Sequence, residues 1–259
     1  MCMVDVLMAV NLPQTILTQT NKGMKILIDG DILVYRIGFA SQRKGEDGVV
    51  IADPVSFALH SMKKYLFNMY KETGATSSEL ILTGKDNFRN VVDKEYKANR
   101  KGTAKPVHYQ AIRDYMVSRL KAIIVDTIEA DDYMAMNQTK DTMICTLDKD
   151  LLMVKGWHYN FVKKEKRYVT QEEGTRWFYK QMLMGDKVDN IIGIKGIGDK
   201  TADKLLDSVQ SNRWDALVEE KYEEHFQVGW YQRMVQNTQL LWMIQKDVLM
   251  PMDIRGGCT

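Results

Sequence analysis

The sequence predicts an α/β protein, and three observations predict it. Short β-branched runs recur at 25–28, 80–83, 123–125 and 142–146, and the stretches between them carry apolar residues at helical spacing. Run after run is followed by acidic residues, at the strand ends where α/β folds place their ligands. The 259 residues, 45% apolar and 27% charged, suffice to bury a full core, as one large α/β domain or as one with a helical appendage. The net charge of +2 conceals segregation, because basic residues crowd between Lys85 and Lys121 while acids cluster at a few places. Such a basic surface is a footprint of nucleic-acid binding, although a charge run is also the ordinary make-up of a solvated face.

Residues 1–23 read as an N-terminal extension, either an outer helix or a leader. The run from Lys25 to Asp29 is a strand that stops at Gly30, and Asp31 to Ala40 reads as a helix. Asp29 is the expected ligand and Asp31 the expected helix N-cap. From Pro54 to Tyr70 the positions of Phe57, Leu59, Met62, Leu66, Phe67 and Tyr70 predict an amphipathic cover helix. Leu80 to Thr83 is the second strand, followed by Asp86.

In the segment Glu95 to Lys101, Lys97 and Arg100 stand three apart and would share a helix face. Residues 102–106 break that helix, and a second follows with Ile112, Tyr115, Met116 and Leu120. Two basic helices joined in this way form either an arm over a cleft or an exposed hairpin. After the third strand, Ile123 to Val125, come Glu129, Asp131 and Asp132, carboxylates that repel unless cations or protons neutralise them. Asp132 can simply complement a helix dipole, so Glu129 and Asp131 are the chosen metal ligands. The fourth strand, Thr142 to Thr146, leads to Asp148 and Asp150, which point the same way if the chain stays extended. Edge strands at 157–162 and 167–169 precede a helix at 171–184.

The stretch from Asp186 to Asp203 organises the rest. Asp186 and Asp189 would share one face of a helical turn, and Gly193, Gly196 and Gly198 follow at once. Glycines so spaced bring bare amides up to an anion where the next helix, near 199–206, begins. Beyond Leu206 the pattern is helical, with Trp214, Leu217, Val218, Phe226, Trp230, Leu240, Leu241 and Trp242 as packing residues.

Cys2, Cys145 and Cys258 form no C-x-x-C pair, which suits a reducing compartment, and Cys145 reads as a buried small hydrophobe. No apolar run approaches the roughly 18 residues of a membrane span, and the first ten residues lack the basic region of a signal peptide. His60, His108, His158 and His225 are scattered, which disfavours zinc. Clustered carboxylates select Mg²⁺ or Mn²⁺ instead. Two such ions about 3.5–4 Å apart activate a water and stabilise a leaving oxygen of a phosphodiester, and Lys97 and Arg100 would offset the charge growing on the phosphate. The residues together point to a metal-dependent nuclease.

Five motifs in order, ILIDGD (26–31), EYKANRK (95–101), EADD (129–132), LDKD (147–150) and GDKVDNIIGIKGIGDKTA (185–202), resemble the 5′-nuclease superfamily. Its members include flap endonucleases, the 5′-nuclease domain of bacterial DNA polymerase I and, most similar, the 5′→3′ exonucleases of T-odd bacteriophages. The resemblance runs from Lys25 to Leu206. It implies a PIN-like, mostly parallel sheet flanked by helices over 24–184, with a helical arch at about 86–121. A helix–three-turn–helix element and C-terminal helices would fill 185–259. It assigns Asp29, Glu129, Asp131 and Asp132 to a first metal and Asp148, Asp150, Asp186 and Asp189 to a second. Lys97 and Arg100 match the basic pair of the arch, and Tyr96 is expected to stack on a terminal base. Gly193, Gly196 and Gly198, with Lys195, Lys200 and Lys101, would hold the DNA backbone, with K⁺ at the hairpin.

The function implied is a two-metal 5′→3′ exonuclease and flap endonuclease. It would act on the 5′ ends of duplex or flapped DNA, and on RNA primers in RNA–DNA hybrids, during phage-type replication. A cytoplasmic monomer with no membrane contact is expected, in the host cytoplasm for a phage protein. One departure stands out: Thr83 and Gly84 occupy the positions of the family's second-strand aspartate, and Asp86 is the candidate substitute. The rivals are a PIN-type endoribonuclease, against which the glycine hairpin speaks, and a duplex-DNA-binding protein that has lost catalysis.

Overall fold

The computed structural model describes residues 23–246 and 248. All but the last residue of the extension expected at 1–23 lies outside them, as does the end of the expected C-terminal region. In chain order the elements are β1 (Lys25–Asp29), α1 (Gly30–Ala40), β2 (Gln42–Lys44), β3 (Val50–Ala52), α2 (Val55–Thr73), β4 (Ser77–Thr83) and α3 (Arg89–Val92). A 3-10 turn (Ala98–Arg100), α4 (Tyr109–Leu120), β5 (Ile123–Val125), α5 (Ala130–Asn137), β6 (Thr142–Cys145) and a second 3-10 turn (Asp150–Met153) follow. Then come β7 (Gly156–Asn160), β8 (Glu165–Val169), α6 (Gln171–Met184), β9 (Gly185–Asp186), β10 (Ile191–Ile192), α7 (Asp199–Asp207), a 3-10 turn (Ser211–Arg213), α8 (Trp214–Phe226) and α9 (Trp230–Leu241).

These elements form two compact units that interleave along the chain. The first takes the described part of residues 1–84 with 104–147 and 156–168; the second takes 85–103, 148–155 and the described part of 169–259. The units therefore do not part at a single cut after residue 184. The segment expected as an arch is divided between them.

The first unit holds a six-stranded sheet in the order β5-β4-β1-β6-β7-β8, parallel at the four pairings from β5 to β7. Strand β1 lies between β4 and β6, and Ile26, Leu27 and Ile28 are fully buried, as expected of a parallel strand covered on both faces. Ile26, Ile28, Leu80, Leu82, Met143 and Cys145 share a core cluster with Leu33 and Ile37 of α1, Met62 and Met69 of α2, and Ile112 and Met116 of α4. Cys145 is thus the buried hydrophobe its sequence context predicts, and burial pushes its thiol pKa up. Helix α2 buries Ala58, Met62, Leu66 and Met69, whereas Phe57 is 63% exposed, so the core stripe runs one residue away from the expected start. The β2–β3 hairpin is antiparallel and mostly exposed, without the apolar alternation that would betray it in sequence.

The second unit is built around α6, which opens with a capping box between Thr170 and Glu173 and buries Phe178, Met182 and Leu183. Tyr222 of α8 donates its hydroxyl to the Met182 carbonyl at 2.7 Å, and Asn237 of α9 donates to the Tyr222 oxygen at 2.8 Å. Arg89 is completely buried and donates to the carbonyls of Leu240 and Trp242, each at 2.9 Å. The segment 85–103 is thereby anchored to the end of α9. A buried guanidinium needs such acceptors, because an unpaired one would be very costly.

Candidate active site

In the first unit, acids gather at the C-terminal ends of strands, and most also hold the fold together. Asp29 is 4% exposed; it caps α1 by accepting from the Ile32 amide at 3.0 Å and accepts from the Thr146 hydroxyl at 2.8 Å. The cap is therefore Asp29 and not Asp31, because the helix begins at Gly30, one residue earlier than expected. Asp31 instead reaches the end of β4, accepting from the Thr83 amide at 2.8 Å and from Arg113 at 2.7 Å. Arg113 also donates to the Thr83 carbonyl, and the Ala130 amide donates to the Thr83 hydroxyl at 3.0 Å.

The carboxylate found at the end of β4 is thus supplied by Asp31. A side chain at Gly84 would collide with the Asp126 carboxylate and the Val125 carbonyl, so no acid fits at that position. Asp86 is exposed, has φ +60° and belongs to the second unit, not to the unit that holds β4. Glu129 and Asp132 form a capping box on α5, with the Glu129 amide donating to Asp132 at 3.1 Å. Asp132 is fully buried and Asp131 half-buried. Arg113 escaped the sequence reading because one arginine in a basic helix gives no sign of its carboxylate partner.

In the second unit the acids crowd one another. Asp148 does not continue an extended chain; its carboxylate accepts from the Asp150 amide at 2.9 Å, and the backbone turns into the 3-10 segment. Asp150 accepts from Gln181 of α6 at 2.8 Å. Gln181 is 1% exposed, and its side-chain oxygen has no partner among the described residues. Asp186 ends β9 and Asp189 lies within the tight turn between β9 and β10, so the two do not share a helical face. Gly185, at φ +70°, ends α6, and it crosses Gly193 so closely that a Cβ on either would overlap the other's backbone. Asp186 accepts from the Val188 amide at 2.7 Å and the Asp189 amide at 3.3 Å.

The basic segment meets this turn. Lys97 has φ +54° and precedes a 3-10 turn, so it and Arg100 do not lie on an α-helix. Both nonetheless reach Asp189, Lys97 at 3.5 Å and Arg100 in a close ion pair. Tyr96 is 5% exposed and donates its hydroxyl to Asp189 at 3.1 Å, which leaves little of its ring for a base to stack on. Burial first, and then the charges of Asp186 and Asp189, push the Asp148 pKa up against the opposing pull of the Asp150 amide and Lys97. Burial followed by the charges of Asp148, Asp186 and Asp189 pushes Asp150 up as well. Two acids that resist ionisation, first through burial and then through neighbouring acids, are candidates for a functional site.

The glycines divide in role. Gly193 serves the backbone crossing, whereas nothing lies within 4 Å of a Cβ at Gly196 or Gly198. Gly196 has φ +89°, Gly198 is the N-cap of α7, and Lys195 and Lys200 are exposed beside them, as is Lys101 in its own turn. Lys180 of α6 binds Asp199 at 2.8 Å and Asp203 at 2.7 Å, and Arg176 binds Asp203 and Asp207, clamping α7 to α6.

Both acid sets offer oxygen atoms only, the donor chemistry of a hard divalent cation. Among the described residues no group of three or more His, Cys, Asp or Glu side chains is drawn together so as to hold a metal ion. The donor chemistry fits such an ion, for which the basic partners of Asp189 would compete.

A mostly parallel sheet with carboxylates at its strand ends is where α/β folds place their ligands. Residues 24–181 match the N-terminal resolvase-like domain of 5′-3′ exonucleases, and the chain belongs to that family. A 5′-3′ exonuclease of Buchnera aphidicola (Schizaphis graminum) is 28% identical over 207 residues, 72% of this chain and 71% of the relative. A thermostable DNA polymerase I of Thermus thermophilus is 31% identical over 207 residues, 71% of this chain but 24% of the polymerase. Among solved structures, T5 5′-exonuclease with bound divalent metal ions (zinc) superposes with a TM-score of 0.58 at 16% identity, covering 85% of this chain and 89% of that one. The T5 D15 protein co-crystallised with metal ions gives 0.59 at 15% identity, with the same coverage. At these identities the likeness to the T5 structures is one of fold.

Proposed function

We propose that this chain is a divalent-metal-dependent 5′→3′ exonuclease with flap-endonuclease activity, hydrolysing phosphodiester bonds at the 5′ ends of duplex or flapped DNA. The observation that carries this reading is the second unit's acid group, Asp148, Asp150, Asp186 and Asp189, with Lys97 and Arg100 against it. These four acids hold one Mg²⁺ or Mn²⁺, and Asp29, Glu129, Asp131 and Asp132 hold a second. Bound divalent cations supply Lewis-acid stabilisation of phosphoryl oxygens and a water of lowered pKa. Lys97 and Arg100 bind and orient the scissile phosphate and offset its growing charge. The open amides at Gly196 and Gly198, the start of α7, and Lys195 and Lys200 take the duplex backbone, with K⁺ at the hairpin and Lys101 on a further phosphate. RNA primers in RNA–DNA hybrids are a second substrate, and primer removal in replication is the setting, carried out by a cytoplasmic monomer.

The test is cleavage of 5′-labelled duplex and 5′-flap DNA with Mg²⁺ or with chelator, resolving product lengths on a gel. Mg²⁺-dependent release of short products from the 5′ end supports the reading. The duplex grip is tested separately, because a side chain at Gly196 would strain the backbone as well as block an anion. Exchanging Lys195 and Lys200 for Gln lowers duplex affinity and reduces the salt slope by about two; an unchanged slope removes these lysines from the interface. A second reading, a duplex-binding protein without catalysis, is favoured by one observation: the acid at the end of β4 is Asp31, already paired with Arg113. Duplex binding with no Mg²⁺-dependent cleavage selects it.

A further inference from the structure

The turn that carries the basic pair and the turn that carries Asp186 and Asp189 are fastened to each other from both sides. Asn99 donates to the carbonyls of Lys187 at 2.9 Å and Val188 at 3.1 Å, and Asn190 donates back to the Glu95 carbonyl at 2.7 Å. The Lys97 amide adds a bond to the Asp189 carbonyl at 2.9 Å. Within this clasp the Asp189 side chain, 15% exposed, receives Lys97, Arg100 and the Tyr96 hydroxyl. The two cationic groups proposed for the phosphate are thus engaged by a carboxylate proposed for a metal.

We propose that the two turns form a charge-exchange unit: Asp189 holds Lys97 and Arg100 until a divalent cation competes for its carboxylate, and the released side chains then turn to a nucleic-acid phosphate. Asn99 and Asn190 are positioning residues that keep the turns together while the charges change partners. This inference rests on the nuclease reading and adds an order to it, with cation binding preparing phosphate binding. The Lys97 contact is long, at 3.5 Å, and the Arg100 side chain is half exposed, so both partners are able to exchange, and a carboxylate that shares its charge with Mn²⁺ holds two basic groups less strongly.

The experiment needs no turnover. Mn²⁺ binding to the full chain is measured by calorimetry without DNA, for wild type, Lys97→Met, Arg100→Gln and, as a through-space control, Lys94→Gln, an exposed neighbour in the same segment. Removal of either competitor for Asp189 raises Mn²⁺ affinity about three- to tenfold, and Lys94→Gln changes it by less than about twofold. In chelator, Asp189→Asn binds duplex more tightly than wild type. Equal Mn²⁺ affinity in wild type, Lys97→Met and Arg100→Gln, or an equal gain from Lys94→Gln, overturns the exchange while leaving the nuclease reading standing. A wild-type chain that binds no Mn²⁺ overturns both.

Discussion

The two units carry acids of the same kind in opposite circumstances. In the first, carboxylates have tasks in the fold: Asp29 caps α1 and binds Thr146, Glu129 and Asp132 cap α5, and Asp31 ties Arg113 to the end of β4. In the second, Asp148 and Asp150 are raised in pKa by burial and by neighbouring acids. Acids of the first kind stabilise the native state as they stand; acids of the second kind weaken it unless a cation arrives. Substitution should therefore separate stability from activity in one unit and join them in the other.

The largest expected effect is on chemistry. Asp148→Asn lowers cleavage on the order of a hundredfold or more while its melting temperature stays level or rises, because a repelling charge has gone. A variant that cuts at full rate would remove Asp148 from the site, and one that melts well below wild type would erase the contrast. Next comes Arg113→Met, which strands Asp31 and the Thr83 carbonyl; a loss of about 1–3 kcal/mol in urea unfolding is expected. Asp29→Ala forfeits a helix cap worth about 1 kcal/mol as well as the Thr146 bond, so it should lose stability and cleavage together. Unchanged stability would mean that Asp29 is held for function alone.

The smallest effect sharpens the comparison within the second unit, where Asp203 behaves like an acid of the first kind. Burial opposes its ionisation, but the Lys180 and Arg176 donors outweigh burial and hold its carboxyl below the usual range. A lowered folded pKa gives stability that is present above the unfolded value and lost as pH falls through the folded one. The gap between wild type and Asp203→Asn should thus be present at neutral pH and close as pH falls below about 4. With Asp203 partly exposed the gap is small. A gap that widens on acidification would contradict the pairing.

Much of this is legible in the sequence. The strands at 25–29, 123–125 and 142–145 and the helix at 171–184 follow from β-branched runs and helical periodicity that tertiary packing reinforces. The acid positions were legible too, because clustered carboxylates after strands are conspicuous. Their local geometry was not. Whether Asp29 or Asp31 caps depends on the helix starting at Gly30, a shift of one residue. Asp186 and Asp189 leave the helical register because Gly185 adopts a positive φ to pass Gly193, a constraint between residues eight apart. Asp148 and Asp150 come together through a side-chain-to-amide bond that an alternation rule does not contain. The roles of Arg113 and Gln181 lie in long-range partners, and no local pattern encodes those.

The most direct single measurement is thermal unfolding of wild type and Asp148→Asn across a Mg²⁺ titration. A ligand that binds only the folded state stabilises it by RT ln(1 + c/Kd) at free ligand concentration c, so the melting temperature rises with ligand concentration. Wild type should start no higher than the variant without cation and rise with Mg²⁺, while Asp148→Asn gains much less. A variant that melts lower at the outset and gains as much as wild type would contradict the claim that these acids are gathered, at a cost to stability, for a metal.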